Sequence, residues 1–321
     1  MSKQIPEQHY QYPYPPQPMA ASDDEIDVKE LFLAFWKGKW IILLTTIIFA
    51  AGGVFYARSL PNIYKAEAVL APAQESGKSG LASMAAQFGG LASLAGINIG
   101  GSGTDNTAMA LAILQSRKFI NAFINKHDLL VPLMAAKQWN AESNKLVIDS
   151  EVYNSSTQEW VREVEPGQSP TPTDWEAYRV FKEEILSIEE AKDSGLVIFS
   201  VNHYSPEIAQ QWVTWLVGDL NAWMKDNSLA KTKRNIGYLE QQLEKTKIAD
   251  MRSVFYQLIE EQTKNLMLAE VEEEFVFQTV DPAVIPEEKA MPRRALICFV
   301  VTLFGGMLGV VVVMIRFAFR N

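Results

Sequence analysis

The chain has 321 residues, 29 Lys and Arg against 38 Asp and Glu, and a formal net charge of -9. An acidic balance excludes nucleic acid as the expected partner, because phosphate backbones demand a clustered positive field. The single cysteine, Cys298, falls inside an apolar run, so disulfides and thiolate metal sites are excluded and stability must come from packing or assembly.

Residues 1–22 form a tail rich in Gln, Tyr and Pro (HYQYPYPPQP). Such a tail buries too little apolar surface to fold and is expected to be disordered with polyproline character, a solvated tail rather than an SH3-type ligand. Residues 23–39 read as a short juxtamembrane helix with Ile26, Leu31, Phe32 and Phe35 toward the membrane surface and Ser22 or Asp23 as its cap. Residues 40–57 carry no charge and span roughly 27 Å as a helix, about one hydrocarbon core. Trp36, Trp40 and Tyr56 mark its interfaces. The long polar stretch ahead of it favours a signal anchor over a cleaved signal peptide.

Residues 58–204 read as a mixed run of strands and helices, the stretch that the resemblance given below makes an α/β base domain. It begins with a strand over 62–70 and a Gly/Ser/Ala-rich loop over 74–104. Residues 81–104 are also uncharged, but Gln87, Ser93, Asn98 and many glycines make a poor span. A helix follows over 107–127, then a hairpin of 145–152 with 159–164 turning at Asn154-Ser155-Ser156. After Pro172 comes a helix over 174–184, then strands over 185–190 and 196–204 joined by Lys192-Asp193-Ser194-Gly195.

Ser205-Pro206 supplies an N-cap and an N1 proline for the longest feature, a helical arm over 205–274 with a break near 249–253. Glu270, Glu272, Glu273 and Glu274 read as a solvated acidic face. Residues 275–294 hold a last strand and a Pro-rich return. Residues 295–315 form a second uncharged run of roughly 31 Å, and 316–321 a short end.

Sequence motifs for chemistry are weak. Gly77-Lys78-Ser79 lacks the upstream glycine of a phosphate loop, since Pro72 holds that place. His9, His127 and His203 have no metal-ligand spacing. His127-Asp128 has no nucleophile set up beside it, and Glu183-Glu184 and Glu189-Glu190 are sequence neighbours rather than an acid/base pair. No catalytic residue, cofactor or metal is expected.

The more specific constellation is at the carboxyl end. Pro282, Pro286 and Pro292 stiffen the approach to the second run, and Arg293 and Arg294 anchor it at the interface. Gly305 and Gly309 form a G-x-x-x-G step that lets another helix come close, with Ala51, Gly52 and Gly53 as a small surface on the first run. Basic residues flank both sides of the two runs equally, so the positive-inside rule leaves the orientation open.

These ends resemble the Wzz-type chain-length determinants of the polysaccharide co-polymerase family. The resemblance rests on Asp24-Glu25-Ile26-Asp27-Val28-Lys29-Glu30-Leu31, on Trp36-Lys37-Gly38-Lys39-Trp40 and on Leu60-Pro61-Asn62-Ile63-Tyr64-Lys65-Ala66. At the other end Pro286, Pro292, Arg293, Gly305 and Gly309 follow the family's P-x2-P-x4-S-P-K-x11-G-x3-G pattern. Pro282 stands one residue too far from Pro286, Met291 replaces the serine and Arg293 the lysine. The resemblance implies an α+β membrane protein in the bacterial inner membrane: two transmembrane helices flank a periplasmic α/β base domain with a long helical arm, and both termini are cytoplasmic.

It further implies a non-enzymatic homo-oligomeric ring, an octamer, without cofactor. The ring would work with a Wzy-type polymerase on growing lipid-linked polysaccharide to set the modal length of lipopolysaccharide O-antigen or a related glycan. A capsule or exopolysaccharide subunit working with a separate cytoplasmic kinase is the alternative. Kinase-fused relatives carry a nucleotide-binding domain and a tyrosine-rich tail that this sequence lacks. A sensor or efflux-adaptor scaffold and a periplasmic glycan-processing enzyme rank below these.

Overall fold

The computed structural model describes residues 28–73, 103–191 and 193–319, with side chains from 36 onward in the first segment and from 106 in the second. The 1–22 tail, Gly77-Lys78-Ser79, most of the 74–104 loop, Lys192 and Arg320 lie outside the described residues.

In chain order the elements are α1 (Val28–Ser59), β1 (Tyr64–Pro72), α2 (Gly103–Leu114), α3 (Arg117–Lys126), α4 (Leu130–Met134), β2 (Ala136–Asn140), β3 (Lys145–Ile148), β4 (Tyr153–Asn154) and β5 (Glu159–Trp160). Then come α5 (Asp174–Val180), which passes into a π turn over Phe181–Ile185, β6 (Leu186–Ala191), β7 (Leu196–His203), α6 (Pro206–Lys245), α7 (Ala249–Val271), β8 (Phe277–Asp281) and α8 (Arg294–Ala318). The architecture is thus mixed helix and strand with an apolar helix near each end. The chain forms two compact units, Met1–Phe55 with Ala295–Asn321, and Tyr56–Arg294.

Trp36–Ser59 and Arg294–Ala318, most of whose residues lie in the first unit, are long and apolar enough to cross a membrane. Only 11% and 17% of their most apolar windows are buried within the molecule, unlike the core helices of a soluble protein. The expected boundary between a helix over 23–39 and a span over 40–57 is absent, because α1 runs unbroken from Val28. Thr45, Thr46 and Thr302 turn their hydroxyls back onto carbonyls of Ile41, Ile42 and Cys298, so these polar groups are satisfied inside their own helices.

The second unit is built on an antiparallel sheet in the order β6-β7-β1-β8. β1 pairs with β7 from Tyr64 opposite His203 to Leu70 opposite Val197. It pairs with β8 on its other edge, across an irregularity at Val69/Leu70. Ala66, Ala68 and Leu70 alternate inward, as do Val197, Phe199 and Val201. The two alanines leave room for α6, which packs on β1 and β7. Trp212, Phe181 and Phe123 form a buried aromatic run, with ring centroids 6.0 and 5.6 Å apart.

The structure corrects several expected elements. The 107–127 helix is two helices, because Ser116 caps α3 by accepting the N–H of Phe119 at 3.3 Å. The hairpin expected between 145–152 and 159–164 forms only next to its turn: Tyr153 and Asn154 pair with Trp160 and Glu159, Asn154 Oδ1 accepts the N–H groups of Ser156 and Thr157, and Lys145–Ile148 pairs with β2 instead. Asn140 Oδ1 accepts the N–H groups of Glu142 and Ser143, and Asn144 takes a left-handed φ of 49°, so a second, unexpected turn over 141–144 joins β2 to β3. The arm over 205–274 is two helices, as expected, but it is not free of the base along its whole length. The first five turns of α6 belong to the core, since Ala209, Trp212, Val213, Leu216, Leu220 and Met224 are all buried. The break falls at 246–248, just before the expected 249–253.

Candidate assembly site

Small residues let α1 and α8 approach closely within the first unit. A methyl group placed on Gly305 would come within 2.5 Å of Phe49 Cβ, and one on Gly309 within 2.9 Å of the Ile42 backbone. The exchange is reciprocal: Gly38 on α1 faces Val313, and Gly53 faces Val301. Residue numbers rise along α1 as they fall along α8, so the seam is antiparallel. The G-x-x-x-G step is therefore filled by a helix of the same chain. Gly52 has no neighbour within 4 Å of a would-be methyl, and Ala51 is exposed, so of the small surface expected on α1 only Gly53 joins the seam.

The Pro-rich return is tied into the second unit by backbone pairing. The Ile63 N–H donates to the Met291 carbonyl at 2.9 Å, and the Ala290 N–H donates to the Ile63 carbonyl at 2.9 Å. Arg294 Nη2 donates to the Leu60 carbonyl at 3.2 Å and to Asn62 Oδ1 at 3.1 Å. Pro286 and Pro292 are half-buried, with a cis bond between Met291 and Pro292, whereas Pro282 and Arg293 are exposed. The residue that binds the return is Arg294, not the Arg293 singled out by the motif. No sequence signal separates two adjacent arginines.

Past its core half, α6 pairs with α7 as a helical hairpin. Lys225 Nζ donates to the carbonyls of Glu270 and Glu272 at 2.8 and 2.9 Å, closing the carboxyl end of α7. Glu274 accepts the Thr279 N–H at 3.0 Å, so the acidic run is not wholly a solvated face. Nothing on α7 is buried. Tyr256, Met267 and Val271 fall on one side at helical spacing, with Glu260 and Thr263 between them on the same face, and are 54, 62 and 80% exposed. These are exposed apolar side chains without cover in one chain.

Of the histidines flagged in sequence, His127 and His203 serve packing, and His9 lies outside the described residues. His127 ends α3, stacks on Trp215 at 4.2 Å between centroids and places Nε2 2.9 Å from Asp219 Oδ2, so its partner is Asp219 and not Asp128. Lys126 Nζ lies 2.7 Å from the other Asp219 oxygen. His203 is buried. It accepts the Ser205 N–H at Nδ1 (3.0 Å), which leaves Nε2–H to donate to the Pro132 carbonyl at 3.1 Å. Burial holds its pKa below the usual 6.5. Glu176 is held at about 2, first by Arg162 and then by the Thr173 backbone in the capping box of α5. Among the described residues no group of three His, Cys, Asp or Glu could hold a metal ion.

The family model "Chain length determinant protein" (Wzz) matches residues 24–127. A second, "G-rich domain on putative tyrosine kinase" (GNVR), matches residues 244–318. Among solved structures, the chain is similar to a full-length bacterial polysaccharide co-polymerase at 14% identity and a TM-score of 0.36, over 92% of this chain and 99% of that one. It is also similar to a fragment of the polysaccharide co-polymerase WzzB from Salmonella Typhimurium at 14% identity and a TM-score of 0.30, over 72% of this chain and 100% of the fragment. No curated protein sequence matches significantly. The Wzz match covers about a third of the chain, the amino-terminal motif and the following residues as far as the end of α3, and over that stretch the chain is similar to the chain length determinant family.

Proposed function

We propose that this protein is a non-enzymatic regulator of polysaccharide length. It sets the modal chain length of lipopolysaccharide O-antigen, or a related surface glycan, made by a Wzy-type polymerase. The observation that carries this reading is the chain-length determinant match over 24–127, which spans α1, β1 and the first base helices. In this reading the protein sits in the bacterial inner membrane through two spans, 40–57 and 295–315, with both termini cytoplasmic. The base, 58–204, and the arm, 205–274, are periplasmic, and 275–294 returns the chain to the membrane. Gly305 and Gly309 hold the two spans together, and Pro282, Pro286, Pro292 and Arg293 set the angle of the return. Copies join through the arm into a closed homo-oligomeric ring, an octamer, around growing lipid-linked polysaccharide. The uncovered apolar side chains on α7 support assembly, because apolar surface of this kind is stabilised by a partner.

A second reading has one specific observation in its favour. The 244–318 match to a domain described on a tyrosine kinase fits a capsule or exopolysaccharide subunit that works with a separate kinase. A glycan ladder from a deletion strain, with and without the gene restored, separates the two. A broadened ladder with polymer still made, returned to a modal length by restoration, is expected. Loss of total secreted polymer favours the second reading, and an unchanged ladder with unchanged polymer overturns both.

A further inference from the structure

Beside the helix ends, the second unit holds a cavity of about 500 Å³, within the range of small-ligand sites. Arg58, Arg294 and Lys137 line it, together with the polar groups of Ser59 and Tyr204, against one carboxylate, Asp149. That carboxylate is already engaged. Lys137 Nζ lies 3.0 Å from its Oδ2, and the Glu151 N–H donates to its Oδ1 at 3.1 Å. The two guanidinium groups are left without a negative partner among the described residues. An interfacial arginine ordinarily extends its head into water. Arg294 does not: its Nη2 is turned onto Leu60 and Asn62, and its Nε is buried with no acceptor. A buried guanidinium N–H without an acceptor is costly, and an anion in the cavity would supply one.

We propose that this cavity binds a phosphate-bearing anion, either the headgroup of an anionic lipid or a soluble diphosphate. Phosphate oxygens suit planar guanidinium donors, which grip them in pairs. The positions of the arginines favour the lipid: Arg58 is in the last turn of α1, and Arg294 opens α8. The lipid source rests on the two apolar helices crossing a membrane, whereas the diphosphate source does not. Neither depends on what the protein does to a glycan.

The full chain, purified in neutral detergent, is titrated with phosphatidylglycerol, with phosphatidylcholine and with inorganic pyrophosphate, and bound species are counted by native mass spectrometry. Phosphatidylglycerol is expected to bind at least about tenfold tighter than phosphatidylcholine, and Arg58→Gln to weaken it by about tenfold. Arg58 has no hydrogen bond to a described residue, so its replacement leaves the fold intact. Arg294→Gln should act in the same direction, with Arg294→Lys recovering part of the loss. Lys289→Gln, a nearby basic change outside the cavity, should have no effect. Competition by pyrophosphate supports a site for the headgroup chemistry alone, and lipid binding without competition supports a lipid site. Equal affinity for the two lipids with no pyrophosphate bound, unchanged binding in Arg58→Gln, or an equal loss in Lys289→Gln overturns the proposal.

Discussion

The two halves of α6 share one helix and one style of sequence, yet they meet different surroundings. From Ala209 to Met224 the apolar residues are buried against the sheet and the base helices. From Lys225 onward only Leu239 is buried, and α7, its partner in the hairpin, buries nothing. Helical periodicity therefore reports that a face is apolar, not what covers it. The first half is covered by its own chain. The second half and α7 keep apolar side chains that one chain leaves open, and the proposed assembly would cover them with a neighbouring copy.

The contrast can be broken first at its buried end. Trp212→Ala should lower the stability of the full chain by about 3–5 kcal/mol, read by denaturant unfolding in detergent, because Trp212 is among the largest fully buried side chains. Asn221 comes next. Its carboxamide accepts the N–H groups of Val276 and Phe277 and donates to the Phe277 carbonyl, all at 2.9–3.0 Å. It thus acts as an extra strand edge for β8. Asn221→Ala strands three buried backbone groups and should cost about 2–4 kcal/mol by the same measurement. In the other unit, Gly309→Leu forces a side chain onto Ile42 and Thr45 and should cost about 1–3 kcal/mol, read as a lower melting temperature.

A smaller effect distinguishes the core by pH. His203 is neutral in the fold, with its pKa depressed by burial, while the unfolded chain takes up a proton at about 6.5. Below that pH the unfolded state binds the extra proton, so stability is full above pH 6.5 and is lost as pH falls toward the folded value. Melting temperature measured from pH 8 to pH 5 should drop, and His203→Gln should flatten that part of the slope.

Much of this was legible in sequence. The two apolar runs, the long helix opened by Ser205 and Pro206, and the last strand follow from charge-free length, capping and alternation. The rest was hidden for identifiable reasons. β2, read AKQWN, has too little alternation to announce a strand, although the asparagines at 140 and 144 did carry the turn signal that pairs it with β3. Ser116 offered an N-cap inside a continuous helical pattern. Asn221 and Lys225 are polar residues in a long polar-faced helix, and only their tertiary partners, 45–56 residues away in sequence, show that they tie the arm to β8 and to the end of α7. The seam was visible from one side through Gly305 and Gly309, but Gly38 and Gly53 acquire meaning only in the antiparallel register.

The smallest effect on the isolated fold should accompany the largest effect on assembly. Replacing Tyr256 and Met267 by Glu should shift denaturant stability by less than about 0.5 kcal/mol per site, since both are exposed. The decisive measurement is the particle mass of the full chain extracted from membranes, for the native protein and for Tyr256→Glu/Met267→Glu. A multi-copy assembly that falls apart in the double variant, with an unchanged unfolding transition, is the predicted result. A native protein that is monomeric, or a double variant that keeps the native mass, would contradict the account.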